Sequence, residues 1–343
     1  MTTVLSIIGA ILVLGVLVIV HELGHFGVAR ALGFRVDEFA VGFGPRIFSK
    51  ERKGVRYSLR LLPLGGFCKF HGEDEEAEDP ECFNAQKAWK RALVVLAGAA
   101  MNILFAFVLA VVTLLGWGDF AATIHEVRPG TPAETAGVQV GDQILSINGK
   151  RVVFDYAALD EVTKADPEEG VNLTVRRDGE NLTLHLSDLY DEAEGKNMMG
   201  VTIDYTQRRS FRFGEAIVCA GDFLVYSARS LLSFFANIFR TPNLQEQVLG
   251  PVGTISVIGM AVRSGWETIF RLSLYLSLNL GIFNLLPFPG LDGGRMIFLL
   301  YEMIFRKPIP RDKEGLVHLI GLALLFGFII YITVGDVRRL FGG

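Results

Sequence analysis

His21-Glu22-Leu23-Gly24-His25 sets two imidazoles four residues apart with a carboxylate between them. On a helix, positions i and i+4 share a face, so both rings can reach a single ion. Glu22 then stands beside that ion, where it can take the proton from a water whose pKa a zinc ion lowers toward about 7. The chemistry suited to such a set is metal-assisted hydrolysis. A catalytic zinc takes three protein ligands and keeps an open position for water, so one more ligand must come from elsewhere. Asp292 is the outstanding candidate, lying between Asn284-Leu-Leu-Pro287-Phe-Pro289-Gly-Leu291 and Gly293-Gly294. The prolines interrupt a helix, and the glycines let the backbone approach another element closely. The plain alternative for Asp292 is a loop at a helix end, with the acid facing water.

The elements that must position these residues are apolar. Half of the 343 residues are hydrophobic and 20% are charged, with a mean hydropathy of +0.38. The runs Thr2 to Val20, Leu93 to Trp117 and Leu272 to Leu291 carry no charge, and Leu316 to Val334 holds only His318. Each approaches or exceeds the roughly 20 residues that span a bilayer as a helix. The first lacks a basic start and runs straight into His21, so it reads as a retained membrane helix and not a signal peptide. Ionisable groups at such a depth are costly and are normally paired or functional, which argues against two plain core histidines. Irregular backbone there, as around Pro287 and Pro289, is tolerated only inside protein or along a wet cavity.

Four regions follow. Residues 1–120 form an N-terminal membrane core with two spans and strand-like pieces at Glu38 to Phe43, Arg56 to Leu61 and Gly66 to Phe70. The charged run Glu73 to Glu81 reads as a solvated loop. Residues 121–205 alternate like half-buried strands at Thr123 to Val127, Gln143 to Asn148, Val171 to Arg176, Asn181 to Leu186 and Gly200 to Asp204, with a hairpin signal at Asp178-Gly179. Residues 206–266 form a linker, in which Phe211 to Phe239 reads as one or two amphipathic surface helices, because Glu215, Asp222 and Arg229 interrupt it. Residues 267–343 supply two more spans. Basic residues Arg30, Arg35, Arg46, Lys87, Lys90, Arg91, Arg306, Lys307, Arg311 and Lys313 place the short loops in the cytoplasm, and four spans then put the 121–205 domain outside. The net charge of -4 gives no basic signal for nucleic acid. Cys68, Cys82 and Cys219 are too few and too scattered for a disulfide framework. His71, His125, His185 and His318 read as surface or loop residues.

Taken together, His21-Glu22-x-x-His25 and Leu291-Asp292-Gly293-Gly294 resemble the site-2 protease family of intramembrane zinc metalloproteases, in its bacterial regulator-of-sigma-E-protease-like branch. The resemblance covers nearly the whole chain and includes Gly42-Phe-Gly44-Pro45, Leu62-Pro63-Leu64-Gly65-Gly66-Phe67 and Gly250-Pro251-Val252-Gly253. It implies zinc held by His21, His25 and Asp292, with Glu22 as general base. Asn284 and Pro287 match positions that hold the substrate strand, and Asn102 matches a family asparagine, although Gly98-Ala-Ala-Met-Asn102 lacks the proline often found there. Residues 36–71 correspond to a β-hairpin region dipping toward the active site, whose unpaired edge, with Gly42, Gly44 and Gly66, could add the substrate as an extra strand. The stretch Gly130 to Gly149 resembles a PDZ domain, which would bind an extended peptide or gate access.

The expected fold is therefore an α-helical integral membrane protein with about four transmembrane helices, a membrane-associated β element and an inserted PDZ-like α+β domain. The expected partners are membrane lipid and single-span membrane proteins of the anti-sigma-factor or remnant-signal-peptide type, cut at the inner membrane of a bacterium. A zinc transporter or a catalytically silent client-binding protein would also use membrane histidines. Neither needs Glu22 between them together with a peptide-binding outer domain.

Overall fold

The structure, a computed structural model, describes residues 2–73, 81–154, 159–192, 194–240 and 248–341. Two compact units are formed, Met1–Leu109 with Ser230–Gly343 and, separately, Ala110–Arg229. Most of the charged run expected to be a loop, residues 74–80, lies outside the described residues.

The first unit begins with helix α1, Thr2–Ala31. It stops where Phe34 N–H turns back to Ala29 O at 2.9 Å, around Gly33 at φ +83°, the left-handed conformation that closes many helices. Next come two long strands, β1 (Val36–Arg52) and β2 (Val55–Phe70). They turn at Lys53-Gly54, both at positive φ, as a two-residue hairpin turn requires. Each strand bends back on the pair. Glu38 to Val41 oppose Arg56 to Leu59 on one side and Lys69 to Gly66 on the other, while Phe48 to Arg52 oppose Leu59 to Val55. The three expected strand pieces are thus present, joined by a fourth, and Gly66 to Phe70 forms one outer edge. Phe34, Val36, Phe39, Val55, Phe70 and Phe83 bury this sheet against Ala29 of α1 and Val94 of the next helix.

Inside the sheet Glu38 is buried. It accepts from Ser58 Oγ at 2.6 Å, Arg60 Nη2 at 2.8 Å and Arg46 Nη2 at 2.9 Å. Burial alone would push this carboxyl up, but the three donors outweigh it and hold the group at about 2.

Helix α2, Ala88–Gly116, is the most enclosed of the long apolar helices. The C-terminal part of the unit has helices at Pro251–Ser264, Trp266–Leu285, Asp292–Phe305 and Arg311–Phe341. Asp336 of the last one is buried and accepts from Gly250 N–H at 3.1 Å and Gly253 N–H at 2.8 Å. It thereby satisfies open donors at the start of the Pro251–Ser264 helix.

The second unit contains a sheet in the spatial order Val201–Asp204, Ala122–Val127, Gln143–Ile147, Val171–Arg177, Glu180–Leu186, with Lys150–Arg151 paired to Gln143–Ile147. Its core gathers Ile124, Ala133, Ile144, Ile147, Leu173, Val175 and Leu186. Asp178-Gly179 makes the expected hairpin, with both residues at positive φ and Arg177 opposite Glu180. Pro132–Thr135 is a short helix, and Gly137 follows it at φ +79°.

The segment expected to form one or two amphipathic surface helices is a single helix, Phe213–Asn237, whose length and apolar content would also let it cross a membrane. Five helices meet that description among the described residues, against the four expected. The charges that interrupt the apolar pattern do not interrupt the helix; Glu215 pairs with Arg209 and Asp222 with Arg151. Ala216, Cys219, Ala220, Phe223 and Leu224 form its buried face.

Candidate metal centre

His21 and His25 lie near the end of α1, one turn apart, with ring centroids 4.7 Å apart and planes at 89°. Both are buried. Asp292 opens the Asp292–Phe305 helix directly after the proline break. Its Oδ2 lies 3.1 Å from His21 Nε2 and 3.4 Å from His25 Nε2, and the two Nε2 atoms are 3.1 Å apart. Zinc bonds of about 2.0–2.1 Å in a tetrahedron put neighbouring ligand atoms about 3.3–3.4 Å apart. The three atoms lie close to three corners of such a figure. Among the described residues this is the one group of three or more histidine, cysteine or acidic side chains with that convergence.

The hydrogen bonds around the trio decide whether a cation fits. His25 Nδ1 donates to Val94 O at 2.8 Å, which leaves its Nε2 as a lone pair. His21 Nδ1 is 3.3 Å from the amide of Asn102. At this site two buried oxygens lack a hydrogen-bond donor, Asn102 Oδ1 and Asp292 Oδ2. Turning the Asn102 amide end for end leaves its outline unchanged. Oδ1 then accepts from His21 Nδ1–H, and both Nε2 lone pairs are free together with Asp292 Oδ2. A cation at their meeting point satisfies all three, so the residues fit a zinc ion. The anchoring of each imidazole through its other nitrogen is the usual outer shell of a metal-binding histidine.

Glycines make the convergence possible. A Cβ on Gly24 would lie 2.2 Å from Ala97 O, so α1 can approach α2 closely only without one. At Gly98 a Cβ would lie 2.4 Å from His25 Nε2 and 2.8 Å from His21 Cε1. Val94, Gly98 and Asn102 are spaced i, i+4, i+8 and so form one stripe of α2 facing the imidazoles. A Cβ on Gly293 would lie 2.1 Å from Leu286 O, which explains why the chain can fold back on itself immediately after Asp292.

Glu22 is half-buried beside the trio, with the Cys68 main chain hydrogen-bonded to its carboxylate. A Cβ on Gly66 would be 3.5 Å from Glu22 Cγ, so the Gly66 to Phe70 edge runs next to this carboxylate. His21, Glu22, His25, Asn102, Asp292 and Gly66 are therefore brought together. The other candidates are placed differently. Asn284 donates to Leu280 O of its own helix at 3.0 Å, and Pro287 lies in the turn before Asp292. Gly42 and Gly44, both at positive φ, shape the bend of the β sheet, where Gly44 O accepts from Arg60 Nη1 at 2.8 Å. Sequence reasoning did not single out Gly98 or Val94. The Gly98 signal was its place four residues before Asn102, whereas Val94 acts through a carbonyl that any residue would supply. His318, read as a surface or loop residue, sits within the last helix and accepts from Gly290 N–H at 2.8 Å.

Comparison with known proteins agrees with this chemistry. The family model for peptidase family M50 matches residues 9–328. A protein of Clostridium perfringens named as a zinc metalloprotease is 34% identical over 338 residues, covering 96% of this chain and 98% of the relative. One of Fusobacterium nucleatum, named likewise, is 35% identical over 342 residues, covering 97% and 98%. The regulator of sigma-W protease RasP of Bacillus subtilis is 28% identical over 422 residues, covering 98% and 99%. The chain belongs to peptidase family M50, the site-2 protease family, and is a multi-pass membrane zinc metalloprotease.

Proposed function

We propose that His21, His25 and Asp292 hold the catalytic zinc, that Glu22 is the general base, and that the chain cuts single-span membrane proteins in regulated intramembrane proteolysis. Substrates of the anti-sigma-factor or remnant-signal-peptide type fit this reading, which the sigma-W regulator name of the B. subtilis relative supports. The observation that carries it is the meeting of three metal-suited atoms from opposite ends of the chain beside a carboxylate.

Zinc in this site supplies Lewis acidity, polarising the scissile carbonyl and making water a nucleophile at neutral pH. The chain's own residues do the rest. Glu22 takes the proton of the attacking water and passes it to the leaving amine. Val94 and Asn102 fix the two imidazoles. A helical substrate hides its peptide bonds in its own hydrogen bonds, so it must be held extended. The Gly66 to Phe70 edge beside Glu22 suits that task by strand addition, shaped by Gly42 and Gly44, with Asn284 and Pro287 on the side of Asp292. Phe43, Ile47, Phe48, Leu61 and Leu62 are exposed on the same sheet, which supports its placement against lipid. The 121–205 domain, outside the inner membrane and PDZ-like, either binds an extended peptide or gates access.

Zinc content and cleavage of a single-span model substrate, measured in detergent, test the reading. Glu22→Gln should retain stoichiometric zinc and lose cleavage, while Asp292→Ala should bind zinc more weakly. Cleavage by Glu22→Gln at the wild-type rate would overturn the mechanism.

A further inference from the structure

The turn that presents Asp292 has its own support. Pro287 and Pro289 remove two main-chain donors and end the Trp266–Leu285 helix. Of the donors left in residues 287–291, Phe288 N–H bonds Leu286 O at 2.7 Å and Leu291 N–H bonds Phe288 O at 3.1 Å, and Gly290 N–H turns outward. The last helix holds the turn from outside. Gly290 N–H donates to His318 Nδ1 at 2.8 Å. One turn further along, Gly321 lies so close that a Cβ there would be 2.1 Å from Pro289 O. Gly290 itself is at φ +97°, with the Leu322 side chain 3.0 Å from where its Cβ would be. His318, Gly321 and Leu322 are spaced i, i+3, i+4 and therefore form one face, a saddle on which the turn rests. The His318 ring is also 5.4 Å from that of Phe298, on the helix that Asp292 begins.

The tautomer is set by this arrangement. An amide N–H can only donate, so Nδ1 is the acceptor and the ring proton belongs on Nε2. That nitrogen faces Glu314 Oε1 at 3.8 Å, the side on which a proton is welcome. Through Nδ1 the imidazole holds a main-chain amide two residues before Asp292, while the Glu314 carboxylate stands near its Nε2 beyond hydrogen-bond distance. No cation is needed for this link, and His318 touches none of the three converging atoms.

We infer that His318 is a positioning residue for the metal centre: by accepting from Gly290 N–H it fixes the turn that aims Asp292 Oδ2 at the two histidines. The inference rests on the reading of Asp292 as the third zinc ligand. Groups that orient ligands from outside the coordination sphere are worth about 10–100-fold in metal affinity, and that is the size of effect expected.

The test is zinc affinity of the full-length protein in detergent, measured by competition with a chromogenic chelator. His318→Phe keeps the ring volume and removes the acceptor. His318→Asn puts Oδ1 where Nδ1 stood, while His318→Gln puts its oxygen nearer the place of Nε2. Zinc affinity should fall about 10–100-fold in His318→Phe and His318→Gln and stay within about 3-fold of wild type in His318→Asn. A merely space-filling role would give the opposite order, with His318→Phe the mildest. Gly321→Ala pushes on Pro289 with His318 intact and should weaken zinc similarly, which keeps the idea testable should His318→Phe fail to fold. Wild-type zinc affinity in His318→Phe, or equal losses in His318→Asn and His318→Phe, would overturn the inference. Asp292→Ala measured alongside separates the two failures. If it too binds zinc normally, the ligand assignment is wrong. If it alone is weak, only the role of His318 is wrong.

Discussion

Gly98 offers a sharp test of the metal centre, because the change is a single methyl group and the structure fixes where that group would go. A Cβ at Gly98 would sit 2.4 Å from His25 Nε2, 2.6 Å from its Cε1 and 2.8 Å from His21 Cε1. Ordinary contact begins near 3.4 Å, so the His25 ring must retreat by about 1 Å at the very atom proposed to bind zinc. Bonds to zinc are about 2.0–2.1 Å and tolerate only about 0.2 Å of error. Gly98→Ala should therefore break the His25 ligation outright. Its effect on the fold should be far smaller. Alanine is better than glycine in a helix by up to about 1 kcal/mol, and overpacking costs about 1–3 kcal/mol, so the two largely offset. The variant is expected to fold, with apo stability within about 2 kcal/mol of wild type, yet to lose most of its zinc and its cleavage activity. Metal analysis of the purified protein, beside a thermal unfolding scan with and without chelator, reads both quantities. Gly27→Ala on α1 is the control, since nothing lies within 4 Å of its added Cβ. Stoichiometric zinc of wild-type affinity in Gly98→Ala would refute the placement of the metal between these two rings.

Two further outcomes follow from the surroundings of the site. Asn102→Leu removes the amide that holds His21 Nδ1 but keeps the main-chain oxygen that accepts from Ser277 Oγ at 2.8 Å. Zinc affinity should fall about 10–100-fold with little change in thermal unfolding of the apo protein, and unchanged affinity would remove Asn102 from the site. Glu38 tests the sheet. Its carboxyl is held at about 2 against an ordinary 4.5, so its contribution is fully present above about pH 4.5 and is lost as pH falls through about 2. That shift corresponds to about 3 kcal/mol at most, and to about 1–2 kcal/mol once solvent screening of the exposed Arg46 is allowed for. Glu38→Gln should be less stable than wild type by that amount at pH 7, and the gap should narrow steadily in unfolding experiments below pH 4. A gap that stays constant with pH would show that the carboxylate charge is not what the three donors hold.

The sequence was most legible where chemistry is local. His21, Glu22 and His25 share a face by helix periodicity alone, and Pro287 and Pro289 announce a break wherever they occur. Asp178-Gly179 specified its hairpin for the same reason. Long-range partners were harder to read. Val94 contributes a carbonyl, and a carbonyl has no residue type. His318 looks like a stray polar residue in an apolar run until the turn it supports is folded against it. Sequence left open whether Phe211 to Phe239 holds one helix or two, because Glu215 and Asp222 break its apolar pattern; each pairs with an arginine from elsewhere in the second unit. Pairing partners distant in sequence are what a periodicity argument cannot supply.

The close packing and the metal are two parts of one electrostatic arrangement. Glu22 and Asp292, when ionised, bring two negative charges to a site walled by α1, α2 and the Asp292–Phe305 helix. Uncompensated charge in such surroundings is costly. Two neutral imidazoles contribute nothing to the balance, whereas one divalent cation brings the sum to zero. The glycines at 24, 98 and 293 permit an approach that would leave Asp292 Oδ2 without a donor, facing two Nε2 lone pairs, if nothing lay between them. The backbone thus allows a geometry that only a cation makes favourable, so zinc binding and the closure of Asp292 onto the first helix should be thermodynamically linked. Such a linkage would account for a proposed ligand set divided between residues 21–25 and residue 292. With the proposed ligands, the metal would supply a cross-link between the two ends of the membrane core, and the turn beside His318 would have only to bring Asp292 within its reach.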